Sequence, residues 1–163
     1  MPRRTQAERH AATHGALLAA GRRLFAERGV AAVSAEELVA AAGVTRGAMY
    51  HHFRDKKDLF RAVYVELEEE LCAELTARLD AVGSAVEGLQ RGVGWFLDAC
   101  DRPEVRRIAL VDAPAVLGWA TWRRIENDYA LGILAHHLEA AAREGATLPG
   151  PVEIVASLLF SAI

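Results

Sequence analysis

The chain has 163 residues and a mass of 17.7 kDa, room for one compact domain or two small ones, which excludes a large multidomain enzyme. Its 32 Ala and 19 Leu against 13 Gly and 5 Pro favour helices throughout, and 52% apolar with 25% charged residues excludes intrinsic disorder. The net charge of −3 hides an asymmetry: residues 1–61 carry 11 Lys+Arg against 6 Asp+Glu, a balance of +5, and residues 62–163 carry 8 against 16, a balance of −8. A basic head on an acidic body points to a polyanionic partner at the head.

In chain order, Thr5 and Glu8 form a capping-box pair that predicts a first helix, with Leu17, Leu18, Gly21, Leu24 and Phe25 at helical spacing and a stop at Gly29. Ser34 and Glu37 repeat the box before a short second helix with Leu38, Val39 and Ala42 on one face, and Gly43 stands where a left-handed C-cap belongs. Val44 is an apolar plug, Thr45 is the next N-cap, and residues 46–53 make a third short helix in which Met49 and Phe53, at i and i+4, face inward. Asp55 caps a long fourth helix whose Phe60, Val63, Tyr64, Leu67, Leu71, Leu75 and Leu79 form an apolar stripe as far as about Asp80. Glu66, Glu68, Glu69 and Glu70 then mark its solvated side. Further periodic segments fall near 82–99, 104–110, 115–143 and 152–163, separated by Arg102-Pro103 and the breaker-rich stretch 144–151. The last segment has no cap or polar ending, so the chain is expected to stop inside a helix, with Val155, Leu158, Leu159 and Ile163 as candidates for a dimer face.

Cys72 and Cys100 lie 28 positions apart with no CxxC pairing, which predicts neither a disulfide framework nor a zinc knot and suits a reducing cytoplasm. The apolar stretch 15–21 ends at Arg22-Arg23, too short for a signal peptide, and the uncharged runs 113–122 and 154–163 hold 10 residues each, too few for a membrane span.

Two short helices joined by a glycine turn are the plan of a helix-turn-helix, whose second helix enters the DNA major groove, although many helical cores contain similar turns. Beyond that plan, LVAAAGVTRGAMYHHF (residues 38–53) followed by DKKDL (55–59), with LLAAGRRLFAERG (17–29) upstream, resembles the DNA-binding signature of the tetracycline-repressor (TetR) family. The resemblance covers about residues 14–61 and departs at Val30 and Val33, where the family more often has an aromatic and a Thr; Ser34 keeps the usual cap. It implies an all-α protein with an N-terminal three-helix DNA-binding domain over residues 1–61 and a C-terminal helical ligand-binding and dimerisation domain over 62–163. It also implies a Lys56 beside the DNA backbone, assisted by Lys57, and an effector whose binding tilts the fourth helix.

The third helix can be read on its own chemistry. Thr45, Arg46, Gly47 and Ala48 occupy its first turn, where free N–H groups favour phosphate and small residues admit the backbone to the groove. The Ala48 methyl suits a thymine methyl, Arg46 a phosphate or guanine, and Tyr50 and His51 supply a hydroxyl and ring nitrogens. With Ser34 and Lys56 these are the expected DNA contacts, and the Pro2-Arg3-Arg4 arm is expected to add to them.

Other groups are less pointed. His10 and His14 have the i, i+4 spacing of a zinc pair but lack the adjacent Glu, so they are read as solvent-side or DNA-side histidines and no metal is expected. His136 and His137 point about 100° apart, and one of them is a candidate to line a cavity. No nucleophile elbow, Walker loop or Rossmann loop is present, so neither catalysis nor a cofactor is expected. In the second half Trp95, Phe96, Trp119, Trp122 and Tyr129 serve either as core and dimer packing or as the wall of a pocket for an apolar or aromatic effector. Asp112, Asp128, His136 or His137 would be its polar anchors.

The resulting expectation is a cytoplasmic, ligand-responsive transcriptional repressor, not an enzyme, that binds double-stranded operator DNA as a homodimer. The rival readings are a helical scaffold with an incidental turn and, ranked below it, a small enzyme working in the acidic half.

Overall fold

The computed structural model describes residues 5–162. Helices α1 (Gln6–Arg28), α2 (Ala35–Ala42), α3 (Arg46–His52) and α4 (Lys56–Asp80) follow one another, with a 3-10 turn at Val30–Ala32. After α5 (Ala85–Cys100) come the short α6 (Pro103–Val105), a π-helical stretch Arg106–Asp112 and α7 (Ala113–Leu117), and then α8 (Trp119–Arg143) and α9 (Val152–Ala162). The chain is all-α: among the described residues there is no strand.

Both predicted capping boxes form: the Thr5 hydroxyl accepts from Glu8 N while Glu8 accepts from Thr5 N, and Ser34 and Glu37 do the same. The Ser34 amide, then Arg28, then the Ser34 hydroxyl hold the Glu37 carboxyl down to about 2. Gly43 ends α2 at φ 66°, in the left-handed region where a Cβ is costly, and this reverses the chain between α2 and α3. The segment expected to run unbroken over 115–143 instead parts at Gly118, so that residues 113–117 and 119–143 are separate helices.

Contacts divide the chain into two compact units. One comprises the residues up to Glu66 together with Pro103–Gly118, and the other comprises Leu67–Arg102 and the residues from Trp119 onward. The first unit packs Leu17, Phe25, Leu38, Met49, Phe60 and Tyr64, all fully buried, with the Phe25 and Phe60 rings edge-on at 5.5 Å. Residues 103–118 join this unit through specific polar bonds. Arg22 donates two bonds to the Glu104 carboxylate, at 2.7 and 3.1 Å, and Asp112 accepts from Val30 N at 2.9 Å. Arg107 donates to the Arg28 carbonyl, and its guanidinium fills the space where a Cβ on Gly29 (φ 78°) would stand.

In the second unit Leu138, Val155 and Ala156 form a core flanked by Leu89, Leu131 and Leu134. The N-terminus of α5 is capped from a distance: Glu144 accepts from Ser84 Oγ at 2.8 Å and Ala85 N at 2.7 Å. That lowers its pKa, the Ala85 amide acting most and the Ser84 hydroxyl next. Val155, a candidate for a dimer face, is instead buried in its own chain's core against Leu138, whereas Leu158 and Leu159 are exposed; Ile163 lies outside the described residues. Among the described residues no helix is long and apolar enough to cross a membrane.

Candidate nucleic-acid interface

Helix α3 is held by its inner face and presents its outer one. Met49 and Phe53 are buried, as their spacing predicts, so Arg46, Gly47, Tyr50 and His51 are left exposed and Ala48 half-buried. Thr45 caps the helix by accepting from Ala48 N at 3.1 Å, and exposed Ser34 caps α2 beside it in sequence. In the unbound protein Arg46 is already engaged: its guanidinium pairs with Glu36 of α2 and lies 5.5 Å from the Tyr50 ring centroid.

Lys56, the expected backbone contact, also holds the fold together. Its ammonium donates to the carbonyls of Val30 at 2.8 Å and Val33 at 2.7 Å, which ties the start of α4 to the 3-10 turn before α2. Two of its three hydrogens therefore serve the fold, and one remains for a phosphate. Lys57 beside it is exposed. The Pro2-Arg3-Arg4 arm lies outside the described residues.

The histidines show an arrangement that spacing along the chain did not disclose. His10 and His14 of α1 meet His51 and His52 of α3: ring centroids lie 4.1 Å apart for His10 and His52, 5.8 Å for His14 and His52, and 5.9 Å for His10 and His51. Burial depresses the His52 pKa, and its histidine neighbours His10, His14 and His51 depress it further. The available clue was the i, i+4 pair on one helix and the adjacent pair on another; their meeting depends on how α1 and α3 pack. Among the described residues no group of three or more His, Cys, Asp or Glu is arranged to hold a metal ion.

The expected pocket residues are divided between the two units, Asp112 falling in the first and the others in the second. Asp112 belongs to the first unit, where it accepts from Val30 N and lies 3.8 Å from the Arg107 guanidinium, so a structural bond occupies the polar anchor expected for an effector. In the second unit Trp95 lies under the Arg91 guanidinium at 4.9 Å and lines an open cleft of about 360 Å3 with Arg78, Ala81 and Val82. Phe96 is half-buried on the same helix. Trp119 is 66% exposed and its ring lies 4.7 Å from that of Trp122, whose Nε1 is buried without a hydrogen-bond partner. The Tyr129 hydroxyl donates to Glu69 at 3.0 Å. His137 is buried with Nε2 unbonded and 3.8 Å from Asp80; burial lowers its pKa more than Asp80 raises it.

Sequence reading placed Glu68 on the solvated side of α4, and the structure corrects this. It is 7% exposed, and burial followed by the nearby Glu126 carboxylate of α8 raises its pKa to about 8. Only its neighbours Glu69 and Glu70 face solvent.

The fold and the outward face of α3 define a helix-turn-helix protein of the bacterial regulatory type. The family described as bacterial regulatory proteins, tetR family, matches residues 17–63, and the tetracyclin repressor-like C-terminal domain matches residues 86–163. Among curated relatives the chain is 43% identical over 142 residues to the HTH-type transcriptional regulator CymR of Pseudomonas putida, which covers 81% of this chain and 70% of CymR. It is 32% identical over 129 residues to the transposon Tn10 TetC protein of Escherichia coli, covering 78% of this chain and 64% of that protein, so it spans less than two thirds of that relative. A crystal structure of a TetR-family transcriptional regulator from Pectobacterium atrosepticum superposes with a TM-score of 0.83 at 34% identity, over 97% of this chain and 80% of that one. The chain belongs to the TetR family.

Proposed function

We propose that this chain is a ligand-responsive transcriptional repressor that binds a palindromic operator as a homodimer, with residues 1–61 reading DNA and residues 62–163 binding the effector and dimerising. The observation that carries this reading is α3 itself. Its Met49 and Phe53 are buried while Thr45, Arg46, Tyr50 and His51 face outward, in a segment whose balance is +5. Exposed cations on such a helix supply affinity through phosphates, and its small and hydrogen-bonding residues supply discrimination at base edges. The naming of CymR as an HTH-type transcriptional regulator supports the same role.

Two copies place two recognition helices in successive major grooves about 34–36 Å apart, and an effector that prefers a different spacing releases the operator. The effector is read as apolar or aromatic on account of the Trp119–Trp122 pair. The reading assigns the protein to the cytoplasm and gives it no catalytic role, resident metal or cofactor.

Selection from a random-sequence DNA pool with the purified chain tests it. Enrichment of an inverted repeat, bound with steep salt dependence, is the expected result. Recovery of no inverted repeat would overturn the reading.

A further inference from the structure

The four-histidine stack between α1 and α3 is not explained by packing alone. Apolar rings would fill the same space, yet His10, His14, His51 and His52 bring four imidazole rings to it, each able to take up a proton. The groups acting on His52 from the two helices are His10 and His14 of α1 and His51 of α3, each of which repels it once charged. His52 Nδ1 is buried without a hydrogen-bond partner, so a proton placed there has no acceptor within the fold. Phe53, stacked on His14 at 5.0 Å, closes the cluster on an apolar side.

Rings 4.1 to 5.9 Å apart would repel one another strongly if all were imidazolium. His10 and His51 at its rim are exposed, and His51 lies on the outward face of the helix assigned to DNA. A duplex brings a dense row of phosphates to that face and relieves the repulsion.

We propose that the His10–His14–His51–His52 stack is the proton-accepting element of the DNA-reading face: docking on a duplex draws protons from solvent onto it. The inference rests on the DNA-binding reading of α3. Linkage fixes the sign: because the complex binds more protons than its separated parts, affinity rises as pH falls. Burial first, and then the neighbouring histidines, depress the His52 pKa, so this ring resists charging before DNA arrives.

The test uses the full chain and a fluorescent inverted-repeat duplex recovered by the selection above, at constant ionic strength between pH 8 and pH 6. The expected result is a Kd that tightens by about threefold to tenfold per pH unit, tenfold corresponding to one proton taken up. In the double variant His10→Gln/His51→Gln this dependence flattens. His14→Phe keeps a ring in the stack but removes one repelling charge, and it moves the dependence to higher pH. Histidine-ring NMR titration of the unmodified protein, with and without duplex, reads the same event without mutation; the rings are expected to titrate at higher pH in the complex. A pH slope that is the same in wild type and a folded double variant, or ring titrations unmoved by the duplex, would overturn the proposal and leave the DNA-binding reading intact. Absence of binding at every pH would overturn both.

Discussion

The guanidinium of Arg46, the cation at the head of α3, is paired with the Glu36 carboxylate of α2 before any DNA is present. Both side chains are more than half exposed, so the pair adds little to stability and is easily exchanged for a phosphate. Its main consequence is for binding, because a carboxylate on the reading face must be displaced or tolerated when a polyanion approaches. Replacing Glu36 with Gln should therefore leave the melting temperature nearly unchanged, tighten binding to all duplexes several-fold and narrow the gap between selected and random DNA. Arg46→Ala should weaken binding and reduce the slope of log affinity against log salt by up to ~0.9. Competition binding over a salt series checks both, and an unchanged slope for Arg46→Ala would remove the phosphate assignment.

Lys56 behaves differently because its bonds are internal. Its ammonium donates to two backbone carbonyls, Val30 and Val33, at the turn that sets where α2 begins. A hydrogen bond to a charged group contributes about 1.5–3 kcal/mol, and partial exposure of this one reduces the total. Lys56→Met should destabilise the protein by about 2 kcal/mol in urea unfolding, whereas exposed Lys57→Ala should stay within about 0.5 kcal/mol of wild type. Equal effects for the two would mean that the Lys56 bonds do not hold the turn in solution.

The features legible in the sequence are those whose causes lie within one turn of helix. Thr5 with Glu8, Ser34 with Glu37, Thr45, and Gly43 at φ 66° all act on backbone groups three or four residues away, so their spacing alone indicates the structure. The inward turn of Met49 and Phe53 follows from helical period. What stayed hidden depends on partners far along the chain. Asp112 looked like a pocket anchor until Val30, 82 positions earlier, supplied an N–H for it, and Glu68 looked solvated because Glu126 and the rest of α8 had no place beside it in a one-dimensional reading. The histidine stack combines both cases: each pair is visible in the sequence, and only the packing of α1 on α3 joins them.

The two thiols should be unreactive for an electrostatic reason. Burial, then Glu68, then Glu126 push the Cys72 thiol from 9.0 to about 12, which cuts its thiolate fraction at neutral pH about a thousandfold; Cys100 is raised by the same causes, burial again foremost. Neither forms a disulfide. In the folded protein at pH 7.5 both should react with a disulfide reagent at least about tenfold more slowly than in urea, Cys72 the slower. Mass spectrometry of the labelled peptides would distinguish them, and rapid labelling of Cys72 in folded protein would contradict its placement beside the two carboxyls.

That carboxyl pair should set how stability depends on pH. Glu68 has an unfolded value of 4.5 and a folded value of about 8, so the folded chain binds more protons than the unfolded chain between those limits. The stability associated with the neutral acid is then fully present below pH 4.5 and is lost as pH rises, with the loss complete once pH has passed about 8. The usual paired carboxylate behaves in the opposite way, because there it is the charged form that the fold favours. Glu68→Gln keeps the shape and polarity of the side chain without the titration, and it should raise the melting temperature at pH 8 while changing it little at pH 5. Melting curves of both proteins across that range decide the matter. If wild type and Glu68→Gln show parallel curves, Glu68 ionises in solution as an ordinary surface carboxylate, and its burial against α8 is not retained there.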